Sequence, residues 1–65
     1  MRILVNGEAT EVNAADIAAA LDELSYEGEA LATALNGQFV AREQRQATEL
    51  QPGDQLEILA PMQGG

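Results

Sequence analysis

The sequence predicts an α+β domain in which one helix covers a mixed sheet of four to five strands. Three observations predict it. Two Asn-Gly pairs, Asn6-Gly7 and Asn36-Gly37, each separate short runs of strand-forming residues. A single amphipathic stretch carries Ile17, Leu21 and Leu24 at helical spacing. A Pro52-Gly53 turn then leads into the alternating run Gln55 to Ala60. One apolar helical stripe needs one apolar surface to lie against, and a sheet supplies it.

Residues 2–6 read as the first strand, with Ile3 and Val5 on one face and Leu4 on the other. Asn6-Gly7 is a two-residue hairpin signal, because a type I′ turn needs positive φ at both central positions. The second strand, Glu8 to Val12, is polar enough for a sheet edge. Asn13 is a suitable helix N-cap, with Asp16 in the first turn where a negative charge suits the helix dipole. The helix is expected from Ala14 to Leu24 or Ser25. Ala20 fills the edge of its apolar stripe, and Asp22 and Glu23 lie on the wet side. Gly28 is placed to take the left-handed conformation as the chain turns out of the helix.

Leu31 to Leu35 is a third strand. Leu31, Thr33 and Leu35 share one face and Ala32 and Ala34 the other, so periodicity alone leaves the core face open. Asn36-Gly37 turns the chain into the short strand Gln38-Phe39-Val40. Residues 41–49 are polar and read as a loop with room for one helical turn, and Leu50 is an apolar anchor. Gln51-Pro52-Gly53-Asp54 has the type II pattern, with Pro at i+1 and Gly at i+2. In the last strand Leu56 and Ile58 face one way, Glu57 and Leu59 the other. The order is ββαββ and a final strand.

At 65 residues, 46% of them apolar, the chain is expected to be one folded domain over 1–65. A domain of this size buries only about 60% of its unfolded surface, so its core is small. It has neither cysteine nor histidine, which removes disulfides, thiolate metal sites, and the commonest general base and metal ligand. No stretch has the length of a membrane span, and Met1-Arg2 runs directly into a strand-like triplet, so a cytoplasmic location is expected. Eleven acids against Arg2, Arg42 and Arg45 give a net charge of −8. That field repels nucleic acid and anionic membranes. It fits either attraction to a basic partner surface or simple solubility. The chain has no lysine, so beyond its N-terminal amine it offers no acceptor for amide linkage to another copy.

Enzymatic chemistry finds little here. Ser25, Thr10, Thr33 and Thr48 have no histidine or lysine to activate them. The Asp22/Glu23 and Glu27/Glu29 pairs read as solvated charges, since neighbouring acids on a helix diverge. Glu27-Gly28-Glu29 is too short for a calcium loop, and no glycine-rich segment joins a strand to a helix as a phosphate cradle would require.

Two features remain. Leu4 and Leu59 have the wrong parity for the core shared by Ile3, Val5, Leu56 and Ile58. If the first and last strands are neighbours, these leucines form an exposed apolar patch that Met62 extends toward the C-terminus. Such patches mark partner sites, although scattered surface leucines are also ordinary. The chain then ends in Gln63-Gly64-Gly65. A terminal glycine pair is either frayed chain or a thin tail whose reactive group is the α-carboxylate of Gly65.

The segments Ile3-Leu4-Val5-Asn6-Gly7, Ala32-Thr33-Ala34-Leu35-Asn36-Gly37 and Leu50-Gln51-Pro52-Gly53-Asp54-Gln55-Leu56-Glu57-Ile58, with the single helix and the Gly64-Gly65 end, resemble the ThiS family of sulfur carriers. The resemblance spans essentially the whole chain. It implies a β-grasp, ubiquitin-like fold with 61–65 as a flexible functional tail. It also implies a non-enzymatic role with no bound cofactor. A ThiF-like or MoeB-like activating enzyme would use ATP to adenylate the Gly65 carboxylate. Sulfur from a cysteine-derived donor would convert it to a thiocarboxylate, and a ThiG-like thiazole synthase would take the sulfur. Gly64 and Gln63 would thread the partner's channel, with Leu4, Leu59 and Met62 as docking contacts. Met62 departs from the branched aliphatic residue expected there. Alternatives of the same fold are the molybdopterin synthase small subunit, MoaD, and a ubiquitin-like protein modifier. An acidic ubiquitin-like binding module is the alternative that makes no use of the terminus.

Overall fold

The computed structural model describes residues 1–27 and 30–60. Strands β1 (Arg2–Val5), β2 (Glu8–Glu11), β3 (Ala32–Leu35), β4 (Gln38–Val40) and β5 (Gln55–Leu59) form one sheet in the order β2-β1-β5-β3-β4. β1 and β5 run parallel at its centre, and the other neighbours are antiparallel. The helix α1 (Ile17–Glu23) covers one face. The first and last strands of the chain meet in the middle of the sheet, which is the β-grasp arrangement.

The core lies between α1 and the inner face. It contains Ile3 and Val5 of β1, Leu56 and Ile58 of β5, Val40 of β4, and Ile17, Ala20 and Leu21 of α1. The open choice on β3 is settled by burial: Leu31 and Thr33 face the core, while Ala32 and Ala34 lie on the outer face. Thr33 is tolerated there because its hydroxyl donates to the Val40 carbonyl at 2.9 Å and accepts from Arg45 Nε at 3.2 Å.

Both Asn-Gly turns form as expected. Asn6 and Asn36 have φ of 50° and 52°, each followed by a glycine at 86°. β1 therefore stops at Val5, one residue short of the expected strand. The Pro52-Gly53 turn also forms, with Gly53 at φ 86° and the Asp54 N–H donating to the Gln51 carbonyl at 3.1 Å.

The helix starts later than its sequence suggests. Burial alternates through Val12, Asn13, Ala14 and Ala15, so an extended chain carries Val12 and Ala14 into the core. The cap is Asp16, not Asn13; its carboxylate accepts from the Ala19 N–H at 2.8 Å. The Ile17 and Ala18 N–H groups donate to the Thr48 and Arg45 carbonyls at 3.2 and 3.3 Å. The loop thus satisfies helix-end donors that would otherwise lack partners. Glu23 is not merely a wet-side charge. Its carboxylate accepts from the N–H groups of Asn13 and Ala14 at 2.9–3.0 Å, tying the end of the helix to its approach.

The left-handed residue after α1 is Ser25, at φ 66°. The Tyr26 N–H donates to the Leu21 carbonyl and the Ser25 N–H to that of Asp22, at 2.8 and 3.1 Å. This is the Schellman pattern of bonds. Gly28, the residue expected in that role, lies outside the described residues. The 41–49 segment contains a 3-10 turn at Arg42–Gln44, followed by Arg45, which is buried.

Candidate functional site

The sheet face opposite α1 carries the alternate residues of each strand. From β3 come Ala32 and Ala34, whose small side chains leave a low floor. The hairpin register places Phe39 of β4 opposite Ala34, and the β3–β5 register places Leu59 opposite Ala32 and Glu57 opposite Ala34. Among the described residues, Phe39 and Leu59 are the large apolar side chains left exposed, at 73% and 71%. They stand diagonally across β3 and flank a hollow of about 180 Å³ that Asn6 and Glu57 also line. Large apolar groups held over a small-residue floor suit contact with a second surface.

The expected Leu4–Leu59 patch does not form. β1 and β5 are indeed neighbours, but Leu4 pairs with Gln55. Leu59 lies four residues further along β5, roughly 13 Å at the usual strand rise, past the point where Asn6 turns β1 away. Leu4 is half-buried beside Ala9. Leu59's large apolar neighbour across the hollow is Phe39. That residue could have been found: a two-residue turn at Asn36-Gly37 fixes Ala34 opposite Phe39, so the two share a face once the core side of β3 is known. Met62, Gln63, Gly64 and Gly65 lie outside the described residues.

A second, wider hollow of about 750 Å³ lies on the helix side, between Leu21, Tyr26 and Arg42. Its lining mixes Asp22, Glu27 and Glu43 with Arg42 and Arg45 and has no nucleophile–base pair. Among the described residues, no cluster of acidic, histidine or cysteine side chains could hold a metal ion. No helix among them is long and apolar enough to cross a membrane.

The ThiS family profile matches residues 3–65, from the first strand through the terminal glycines. The chain belongs to the ThiS family. Solved structures agree with that assignment. The crystal structure of the thiamine biosynthesis protein ThiS from Geobacter metallireducens is 33% identical, with a TM-score of 0.82 and full coverage of both chains. A solution structure of a thiamine biosynthesis protein from the same organism, also 33% identical, gives a TM-score of 0.84 over all of this chain and 88% of the other. Among curated proteins no significant match is found. The likeness to other ThiS structures thus extends over the whole β-grasp fold, including the strand that carries Leu59 toward the terminus.

Proposed function

We propose that this chain is a sulfur carrier of thiamine biosynthesis and that its working group is the Gly65 α-carboxylate. The observation that carries the reading is the extent of the family match, which runs through the Gly64-Gly65 end. Both solved neighbours are described as thiamine biosynthesis proteins, which favours that pathway over molybdopterin synthesis.

A carboxylate is a poor electrophile until it gains a leaving group. In this reading a ThiF-like activating enzyme supplies one. A Gly65 carboxylate oxygen attacks the α-phosphorus of ATP and pyrophosphate departs. The terminal sulfur of a persulfide on a cysteine-derived donor then attacks the acyl carbon, and AMP leaves with the original oxygen. A thiol cleaves the S–S bond, so that the thiocarboxylate is released and the donor is left as a disulfide. A ThiG-like thiazole synthase takes the sulfur from the resulting thiocarboxylate. The chain catalyses none of these steps. Its contributions are an unhindered terminus, since Gly64 and Gly65 have no Cβ to clash in a narrow channel, and a docking face. We assign docking to Phe39 and Leu59 across Ala32 and Ala34. The acidic surface favours encounter with a basic rim on the partner.

Removing Gly65 tests the reading. With the activating enzyme and ATP, the full chain should support pyrophosphate release and the shortened chain should not, while their circular dichroism spectra agree. Equal release from both would reject the carboxylate as the site.

A further inference from the structure

β5 approaches its end with unequal support on its two flanks. On one side β3 pairs with it as far as Leu59. On the other, β1 pairs only as far as Val5 and Leu56, because Asn6 enters the left-handed region and the chain reverses. Asn6 then continues the pairing by other means. Its main-chain N–H donates to the Leu56 carbonyl at 2.9 Å. Its side-chain Oδ1 accepts from the Ile58 N–H at 2.8 Å, and its Nδ2 donates to the Ile58 carbonyl at 3.2 Å. The amide thus takes both main-chain polar groups of Ile58, which in a continued parallel ladder would bond to two different residues of the neighbouring strand.

Asn36 makes a related contact at the other end of the same strand. Its Oδ1 accepts from the Gln55 N–H at 3.0 Å, and its Nδ2 donates to the Asp54 carboxylate at 3.1 Å. One asparagine therefore holds the entry to β5 and the other its exit, and the exit leads to the terminus.

We propose that Asn6 is a positioning residue for activation of the C-terminus. By holding both polar groups of Ile58, it fixes where β5 hands the chain on to residues 61–65. A docked enzyme then meets a tether with a defined root. Without the clamp, Ile58 and Leu59 keep their pairing with β3 and Ile58 its place in the core, but the end of β5 loses its second flank and its direction at Ala60 is less fixed. The carboxylate then spends less time within reach of ATP, because attack requires the reacting atoms to be held about 3–3.5 Å apart. The loss falls on turnover. Docking on Phe39 and Leu59 is retained, because β3 still holds Leu59. This inference rests on the carboxylate reading above.

The test compares Asn6→Gly with Asn36→Gly. Glycine accepts positive φ, so each change keeps its turn and removes only the side-chain clamp. Activation of the full chain by the activating enzyme is followed as pyrophosphate release, with amide hydrogen exchange as a second readout. In Asn6→Gly, kcat should fall about five-fold or more with KM within about two-fold of wild type, and exchange should accelerate at Ile58. In Asn36→Gly, exchange should accelerate at Gln55 with kcat unchanged. An unchanged kcat in Asn6→Gly, a rise in KM alone, or an equal fall in Asn36→Gly would overturn the proposal. No release from the wild-type chain would overturn the carboxylate reading, and this inference with it.

Discussion

Arg45 Nε donates to Thr33 Oγ1 at 3.2 Å in the interior, and both residues are buried. The same guanidinium donates from Nη2 to the Leu31 carbonyl, so one side chain of the 41–49 loop is bonded to two residues of the β3 segment. Its partners are neutral oxygens, and each bond removes part of the cost of burying a charge. Arg45→Ala should destabilise the fold by about 2–3 kcal/mol in urea titration, and Thr33→Val by about 1–3 kcal/mol, because the latter leaves a buried donor unpaired. Combining the two should cost less than their sum. Strict additivity would mean that the pair is not coupled.

The helix start gives a sharper contrast. Asp16 caps α1 and Asn13 does not, whereas Asn13 is the cap that the sequence suggests. Asp16→Ala should cost about 1 kcal/mol. Asn13→Ala should stay within about 0.5 kcal/mol, as an exposed side chain away from such features does. Thermal unfolding of the two variants distinguishes the start sites, and a larger loss at Asn13 would contradict the observed cap.

Ser25 holds a left-handed conformation that a glycine reaches without strain. Ser25→Gly should therefore stabilise the chain by about 0.5–1 kcal/mol, net of the added freedom in the unfolded state. A destabilised variant would show that the serine side chain contributes more than its backbone strain removes.

Phe39 and Leu59 should be costly to binding and cheap to stability. Phe39→Ala and Leu59→Ala should each change unfolding free energy by no more than about 0.5 kcal/mol, since both are largely exposed. Each should weaken activating-enzyme binding by more than about 1 kcal/mol, roughly five-fold or more, by calorimetry. Leu4→Ala should leave affinity unchanged. Equal losses at Leu4 and Phe39 would move the contact toward β1.

Much of this fold is legible from local chemistry. Asn-Gly and Pro-Gly turns fix their own geometry, and the Ile17–Leu21–Leu24 spacing fixes the helix face. What escaped depends on contacts distant in sequence. The helix start is displaced because Val12 and Ala14 fill the core and the Arg45–Thr48 carbonyls take the first helical donors, and neither constraint appears in a local window. Arg45 reads as a loop charge because only tertiary placement supplies its acceptors. Leu59's exposed apolar neighbour is Phe39 and not Leu4, because parity assigns a residue to a face, whereas register sets its neighbours. The role proposed for Gly65 rests on the ThiS resemblance together with a sequence that has neither cysteine nor histidine.

The most direct test of the carrier role is the intact mass of the full chain after incubation with the activating enzyme, ATP and a sulfur source. The reading predicts a gain equal to one oxygen-for-sulfur exchange, located by fragmentation at Gly65. An unchanged mass, under conditions in which a known ThiS carrier is converted, would contradict it.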